Sequence, residues 1–156
     1  MVRRRMIETG SEAPEFDLQV DRSQHVRLSD FRGKRNVLLV FHPFAWTPVC
    51  EEEALDLQAN LASFESADTE VILVSCDPAP SRQAWRERLE LEYTLASDFW
   101  PHGETAKAYG VFDEEVGAPV RGTFLIDKAG VVVWRLVNED NSRREQLVSG
   151  PLAAST

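Results

Sequence analysis

Two runs of consecutive apolar residues, Val37 to Phe41 (VLLVF) and Val71 to Ser75 (VILVS), interrupt the mixed polar patterning of the chain. Continuous runs rich in Val and Ile are the pattern of strands buried on both faces of a sheet. Between them Ala54, Leu57, Leu61 and Phe64 recur at three- and four-residue steps, which predicts an amphipathic helix from about Pro48 to Phe64. Strand, helix and strand make a parallel βαβ unit. Its right-handed crossover sets both strands' carboxyl ends on one edge of the sheet, the edge where such folds usually place their sites.

A second helix is expected from Ser81 to about Glu90, with Ser81 as its cap and Trp85 and Leu89 on one face, and a shorter one from Glu104 to Tyr109. Thr123 to Ile126 and Val131 to Val137 are β-rich runs joined by the turn Asp127-Lys128-Ala129-Gly130, a hairpin that closes the sheet. Phe16 to Val20 and Val26 to Leu28 alternate around Asp21-Arg22-Ser23-Gln24 and predict an earlier, more exposed hairpin. A weak last helix begins near Ser142 and is interrupted by Gly150-Pro151. The layout is an α/β thioredoxin-like fold: a central mixed sheet flanked by helices, with an N-terminal β-hairpin extension.

The length of 156 residues suits one domain, expected over residues 10–156 behind a basic arm over 1–9 that carries Arg3, Arg4 and Arg5. No apolar h-region follows those arginines, so they do not read as a secretory signal; a phosphate or partner contact is the alternative to a free arm. Hydrophobic residues make up 43% and charged ones 28%, ordinary globular usage, and no apolar run approaches the roughly 20 residues that span a bilayer. A membrane is therefore not an expected partner. With 17 basic against 26 acidic residues the net charge is -9, which also argues against nucleic acid. Two cysteines, Cys50 and Cys76, are too few for a disulfide framework or a four-ligand zinc site, and a reducing, cytoplasmic setting follows. His25, His42 and His102 are too scattered for a metal set; His42, just ahead of Pro43, is the one worth testing for a pH effect.

The candidate chemistry lies between the first buried strand and its helix. Thr47 followed by Pro48 suits the N-cap and first helical positions, the hydroxyl accepting from a free amide. Cys50 then falls in the first turn, where unpaired amides and the helix dipole favour a thiolate, the nucleophilic form. Glu51, Glu52 and Glu53 oppose this unless they point away or are paired, so a cation from elsewhere is needed. Arg121, at the head of the third strand, is the candidate, with a solvated strand end as its alternative.

Pro43, Thr47 and Cys50 form P-x-x-x-T-x-x-C, here PFAWTPVC, and Glu53 completes C-x-x-E. With APEFDLQV, NVLLVFHPFAWTPVC, SDFWPHGETAKAYGVF and RGTFLID in order, the chain resembles the peroxiredoxins from about Gly10 to Val137. It is most similar to the one-cysteine E-type alkyl hydroperoxide reductases, a branch linked to mycothiol and mycoredoxin. The resemblance implies a thiol-dependent peroxidase acting on hydrogen peroxide and organic hydroperoxides. Cys50 would be the peroxidatic cysteine, oxidised to sulfenic acid. Thr47 would hydrogen-bond the thiolate and the peroxide, Pro43 would shield the sulfur from water, and Arg121 would stabilise transition-state charge together with the Cys50 amide. Glu53 stands between a helix carboxylate and a member of the active-site network, while Phe44 and Trp46 line a substrate entrance or merely pack, as do Phe99 and Trp100. No cofactor is required, and a homodimer is implied.

Cys76 ends the second buried strand, on the same sheet edge as Cys50. An inert packed thiol, a modulating thiol and a resolving cysteine are its readings. If it does not resolve, the sulfenic acid needs an external reductant: mycothiol with mycoredoxin, or a thioredoxin-type protein. The alternatives to a one-cysteine peroxidase are a two-cysteine enzyme using Cys76 and a redox-sensing binding or chaperone module.

Overall fold

The computed structural model describes residues 6–155. The buried runs form β3 (Asn36–Phe41) and β4 (Thr69–Ser75), parallel neighbours at the centre of a seven-stranded sheet. Two N-terminal strands, β1 (Asp17–Gln19) and β2 (His25–Arg27), pair antiparallel as expected. Their hairpin joins the main sheet by docking β1 on β5 (Thr94–Ser97). The closing hairpin is β8 (Arg121–Ile126) with β9 (Val132–Asn138), and the full order is β2-β1-β5-β4-β3-β8-β9. A separate two-stranded ribbon, β6 (Phe112–Asp113) and β7 (Ala118–Pro119), precedes β8.

Strand alternation sends the two core layers to opposite faces. Leu38 and Val40 of β3 pack with Val71 and Leu73 of β4 beneath α1 (Pro48–Ala59), α2 (Leu61–Ser66) and α3 (Ala79–Leu89). The intervening residues Val37, Leu39, Phe41, Ile72 and Val74 face Phe124, Tyr109 and the N-terminal segment, alongside α4 (Glu104–Ala108). Cys50 belongs to the first layer and Cys76 to the second.

The structure revises several boundaries. The helix expected to run unbroken to Phe64 is divided at Asn60, whose side-chain amide donates to the Asp56 carbonyl at 2.9 Å and lets the chain turn between α1 and α2. Ser81 does not cap α3; the helix starts two residues earlier behind Pro78, with Pro80 accommodated in its first turn. No helix occupies residues 142–148: α5 (Ser149–Ala154) begins where an interruption was expected, and Gly150-Pro151 lies in its first turn. Met6 and Ile7 pack on the core, Ile7 holding Arg135 through its carbonyl at 2.8 Å, so the folded unit reaches upstream of residue 10. Arg3, Arg4 and Arg5 lie outside the described residues. No helix is long and apolar enough to cross a membrane among the described residues.

The entry to α4 is held by Gly103, which has φ +72° and faces the Phe112 ring so closely that an added Cβ would overlap the ring. Gly103→Ala therefore combines a left-handed backbone with a steric clash, and it is expected to lower stability by about 2 kcal/mol, read as a shifted denaturant midpoint.

Candidate active site

Pro48, Val49 and Cys50 are the first three residues of α1, and Thr47 is its N-cap with extended backbone. The threonine does not cap through its side chain: the hydroxyl donates back to the Phe44 carbonyl at 2.8 Å and tightens the loop instead. Cys50 is 2% exposed. Its position three residues before Glu53 places both side chains on one helix face.

Arg121 reaches that face because β8 runs antiparallel to β3, with Val40 opposite Thr123, so the head of one strand lies beside the tail of the other. Its Nη1 donates to Cys50 Sγ at 3.1 Å and to Glu53 Oε1 at 2.9 Å, while Nε donates to the Asn141 carbonyl at 2.9 Å. The guanidinium is thus fixed at three points, buried, and aimed at the sulfur.

Arg144 carries no signal in the sequence that marks it for this site. This fully buried residue donates its backbone amide and Nε to Glu53 Oε2, each at 2.9 Å, and Nη2 to Oε1 at 2.8 Å. Its Nη1 goes to the Gly122 carbonyl and to Thr123 Oγ1 at 3.0 and 2.7 Å. Four donors therefore converge on the two oxygens of Glu53. Burial alone would raise its pKa, but hydrogen bonds and charge from Arg144, then charge from Arg121, overcome that and hold it below 4.5. Two guanidiniums against one carboxylate leave one positive charge unmatched, and Arg121 lays its side of that excess against Cys50 Sγ. Of the acids that follow Cys50, Glu52 is exposed and lies 3.8 Å from Arg143 at the surface.

The other sequence candidates fall as follows. Pro43 is buried in the loop before Cys50, and Phe44 and Trp46 are 42% and 48% exposed at the same sheet edge. Trp46 has φ +70° and donates its indole N–H to Ser81 Oγ at 3.1 Å, which is the role that serine fills in place of a cap. Phe99 and Trp100, also exposed, follow β5 at that edge. His25 pairs with Asp17 and His102 bonds the Gly117 carbonyl, both at the surface. His42 is buried, and burial, then the charges of Arg82, Arg144 and Arg121, hold it well below 6.5 and keep it neutral. Among the described residues no group of three or more His, Cys, Asp or Glu side chains could hold a metal ion.

Cys76 lies across the sheet from Cys50, among Ile72, Val74 and Ala96. Burial, then the charges of Asp98 and Asp77, push its thiol up to about 12. Both cysteines are free.

The chain is similar to known proteins over nearly its whole length. The AhpC/TSA family model matches residues 9–135. Alkyl hydroperoxide reductase E of Mycobacterium tuberculosis is 39% identical over 152 residues, covering 97% of this chain and 99% of the relative. Among solved structures, peroxidoxin BcpB from Mycobacterium tuberculosis superposes with a TM-score of 0.86 at 27% identity, covering 97% of each chain. The reduced 2-Cys peroxiredoxin of Plasmodium vivax gives 0.83 at 30% identity, covering 94% of this chain and 79% of that one.

The Glu53 cluster makes a pH-dependent contribution of known sign. Because its folded pKa lies below 4.5, the stabilisation is complete above that pH and is lost as pH falls through the depressed folded value. Glu53→Gln is expected to cost about 3 kcal/mol at neutral pH, since two buried guanidiniums lose their countercharge. The melting temperature of the variant should also fall less steeply than that of the wild type on acidification below pH 4.5.

Proposed function

Because the chain belongs to the AhpC/TSA family, whose members include the peroxiredoxins it matches, we propose that it reduces hydroperoxides with Cys50 as the attacking sulfur. The observation that carries this reading is the 3.1 Å contact from a buried arginine to the sulfur of a first-turn cysteine. The thiolate attacks the terminal peroxide oxygen in line with the O–O bond, which breaks. Sulfur is oxidised to sulfenic acid, and the leaving alkoxide or hydroxide takes up the proton that the thiol gave up on ionising.

Arg121 stabilises charge on the oxygen pair as it polarises, and the first-turn amides stand beside it. Pro43 limits water at the sulfur, while Thr47, whose hydroxyl donates to the Phe44 carbonyl, keeps oxygen lone pairs to accept from the peroxide O–H. Glu53 acts through Arg121 and not on the peroxide. Phe44 and Trp46 give the entrance an apolar wall suited to organic hydroperoxides as well as hydrogen peroxide.

Cys76 is not the resolving partner on this reading, because it sits on the opposite face of the sheet with a thiol too basic to attack at neutral pH. The reductant is an external thiol. The E-type resemblance favours mycothiol with a mycoredoxin, and a thioredoxin-type protein is the other candidate. Exposed Phe44, Trp46, Phe99 and Trp100 at one sheet edge support a homodimer, and free thiols suit the cytoplasm.

One equivalent of hydrogen peroxide should add one oxygen to the reduced protein, trapped on Cys50 in an intact-mass experiment. Cys50→Ser should be inert and Cys76→Ser fully oxidisable; loss of two hydrogens without oxygen gain would mean a Cys50–Cys76 disulfide and overturn the one-cysteine reading. Arg121→Met should slow oxidation about a hundredfold or more, measured by stopped-flow fluorescence. Sedimentation should give twice the 17.6 kDa chain mass, and Trp100→Glu should reduce it toward one chain.

A further inference from the structure

Behind the peroxidatic loop, on the side away from Arg121, lies a second buried polar network. Arg82 of α3 is fully buried, and its Nη1 donates to Ser75 Oγ at 2.6 Å and to His42 Nε2 at 2.9 Å. Nη2 donates to the Leu73 carbonyl at 2.7 Å. The nearest carboxylate, Asp77, stays 4.0 Å away, and the arginine reaches it through Ser75, whose hydroxyl donates to Asp77 Oδ2. That same oxygen accepts the Ala45 amide at 2.8 Å. The chain of donors is therefore directional: Arg82 to Ser75, Ser75 to Asp77, with the backbone of the loop donating from the far side.

A second arm ends on the loop as well. A guanidinium can only donate, so His42 Nε2 must accept and the imidazole carries its proton on Nδ1. His42 is the residue immediately before Pro43.

Nothing in packing demands this arrangement. Burying a guanidinium is costly, and an apolar side chain of similar volume would fill the space under α3 at less expense. Arg82 also leaves its Nε without a hydrogen-bond partner among the described residues. Burial lowers its pKa to about 10, so the cation persists at neutral pH.

We propose that Arg82 is a positioning residue of the peroxidatic site: through Ser75 and Asp77 it holds the Ala45 amide, and through His42 it fixes the residue ahead of Pro43. The loop carrying Pro43 and Thr47 thereby keeps the shape that aims its donors at a peroxide. Arg82 does not touch the reacting atoms. The inference rests on Cys50 being the peroxide-reactive sulfur.

Two variants test it. Ser75→Ala removes the hydroxyl joining Arg82 to Asp77 and leaves every charge in place. Arg82→Lys keeps a cation but brings one nitrogen where the guanidinium brings two, Nη1 for Ser75 and His42 and Nη2 for Leu73. For each, the rates of Cys50 oxidation by hydrogen peroxide and of Cys50 alkylation by iodoacetamide are measured, the latter by peptide mass. Peroxide needs aligned donors and the alkylating agent does not. The expected result is a peroxide rate lower by about tenfold or more with alkylation unchanged or faster. A peroxide rate within twofold of wild type overturns the proposal, and so do two rates that fall in proportion, the mark of a merely structural residue. Ser75→Ala, the smaller change, decides the matter should Arg82→Lys fail to fold. A wild-type protein inert to peroxide overturns the peroxidase reading and this inference with it, a result distinct from any variant's.

Discussion

One carboxylate organises the site. Glu53 receives four hydrogen bonds from two arginines that arrive from different parts of the chain, Arg121 from the head of β8 and Arg144 from the segment after β9. Neither guanidinium could be buried without it, and without them the carboxylate itself could not leave water. The burial of each of the three groups therefore depends on the other two. Their excess of one positive charge is aimed at Cys50, one helical turn from Glu53 on α1. Stability and reactivity are set by the same charge balance, so a substitution that disturbs one reaches the other.

The central sheet was legible because its strands are buried on both faces and announce themselves as unbroken apolar runs, and the cysteine because a cap and a proline fix its helical position. The rest depended on tertiary context. β5 is four residues long, with no alternation to mark it. Asn60 divides the helix after Cys50 by bonding back to Asp56, a competition that apolar spacing does not register. Thr47 was placed correctly, yet its hydroxyl turns to Phe44 because the loop offers a nearer acceptor than the helix. Arg144 was invisible for a different reason. It sits in a polar stretch without periodicity, and only the folded path of the chain after β9 carries it back 91 residues to Glu53.

The loop before Cys50 is braced from both sides. Arg121 and Arg144 hold the sulfur's flank, and Arg82 with Ser75 and Asp77 holds the backbone behind it. A site for peroxide attack has little covalent chemistry of its own and works by having donors already in place when the small substrate arrives. Spending three buried arginines on a domain of this size is consistent with that demand for rigidity, since each costs solvation that an aliphatic side chain would not.

Placing the two cysteines on opposite faces of the sheet has a kinetic consequence. Under the proposed chemistry no second sulfur within the molecule can discharge the oxidised one, so each chain stores one two-electron oxidation until a reductant collects it. The fraction of molecules in the stored state at any moment then reports the ratio of two fluxes, peroxide arriving and thiol arriving. Under that chemistry, separating the sulfurs ties the oxidation state of the chain to the supply of both its substrates.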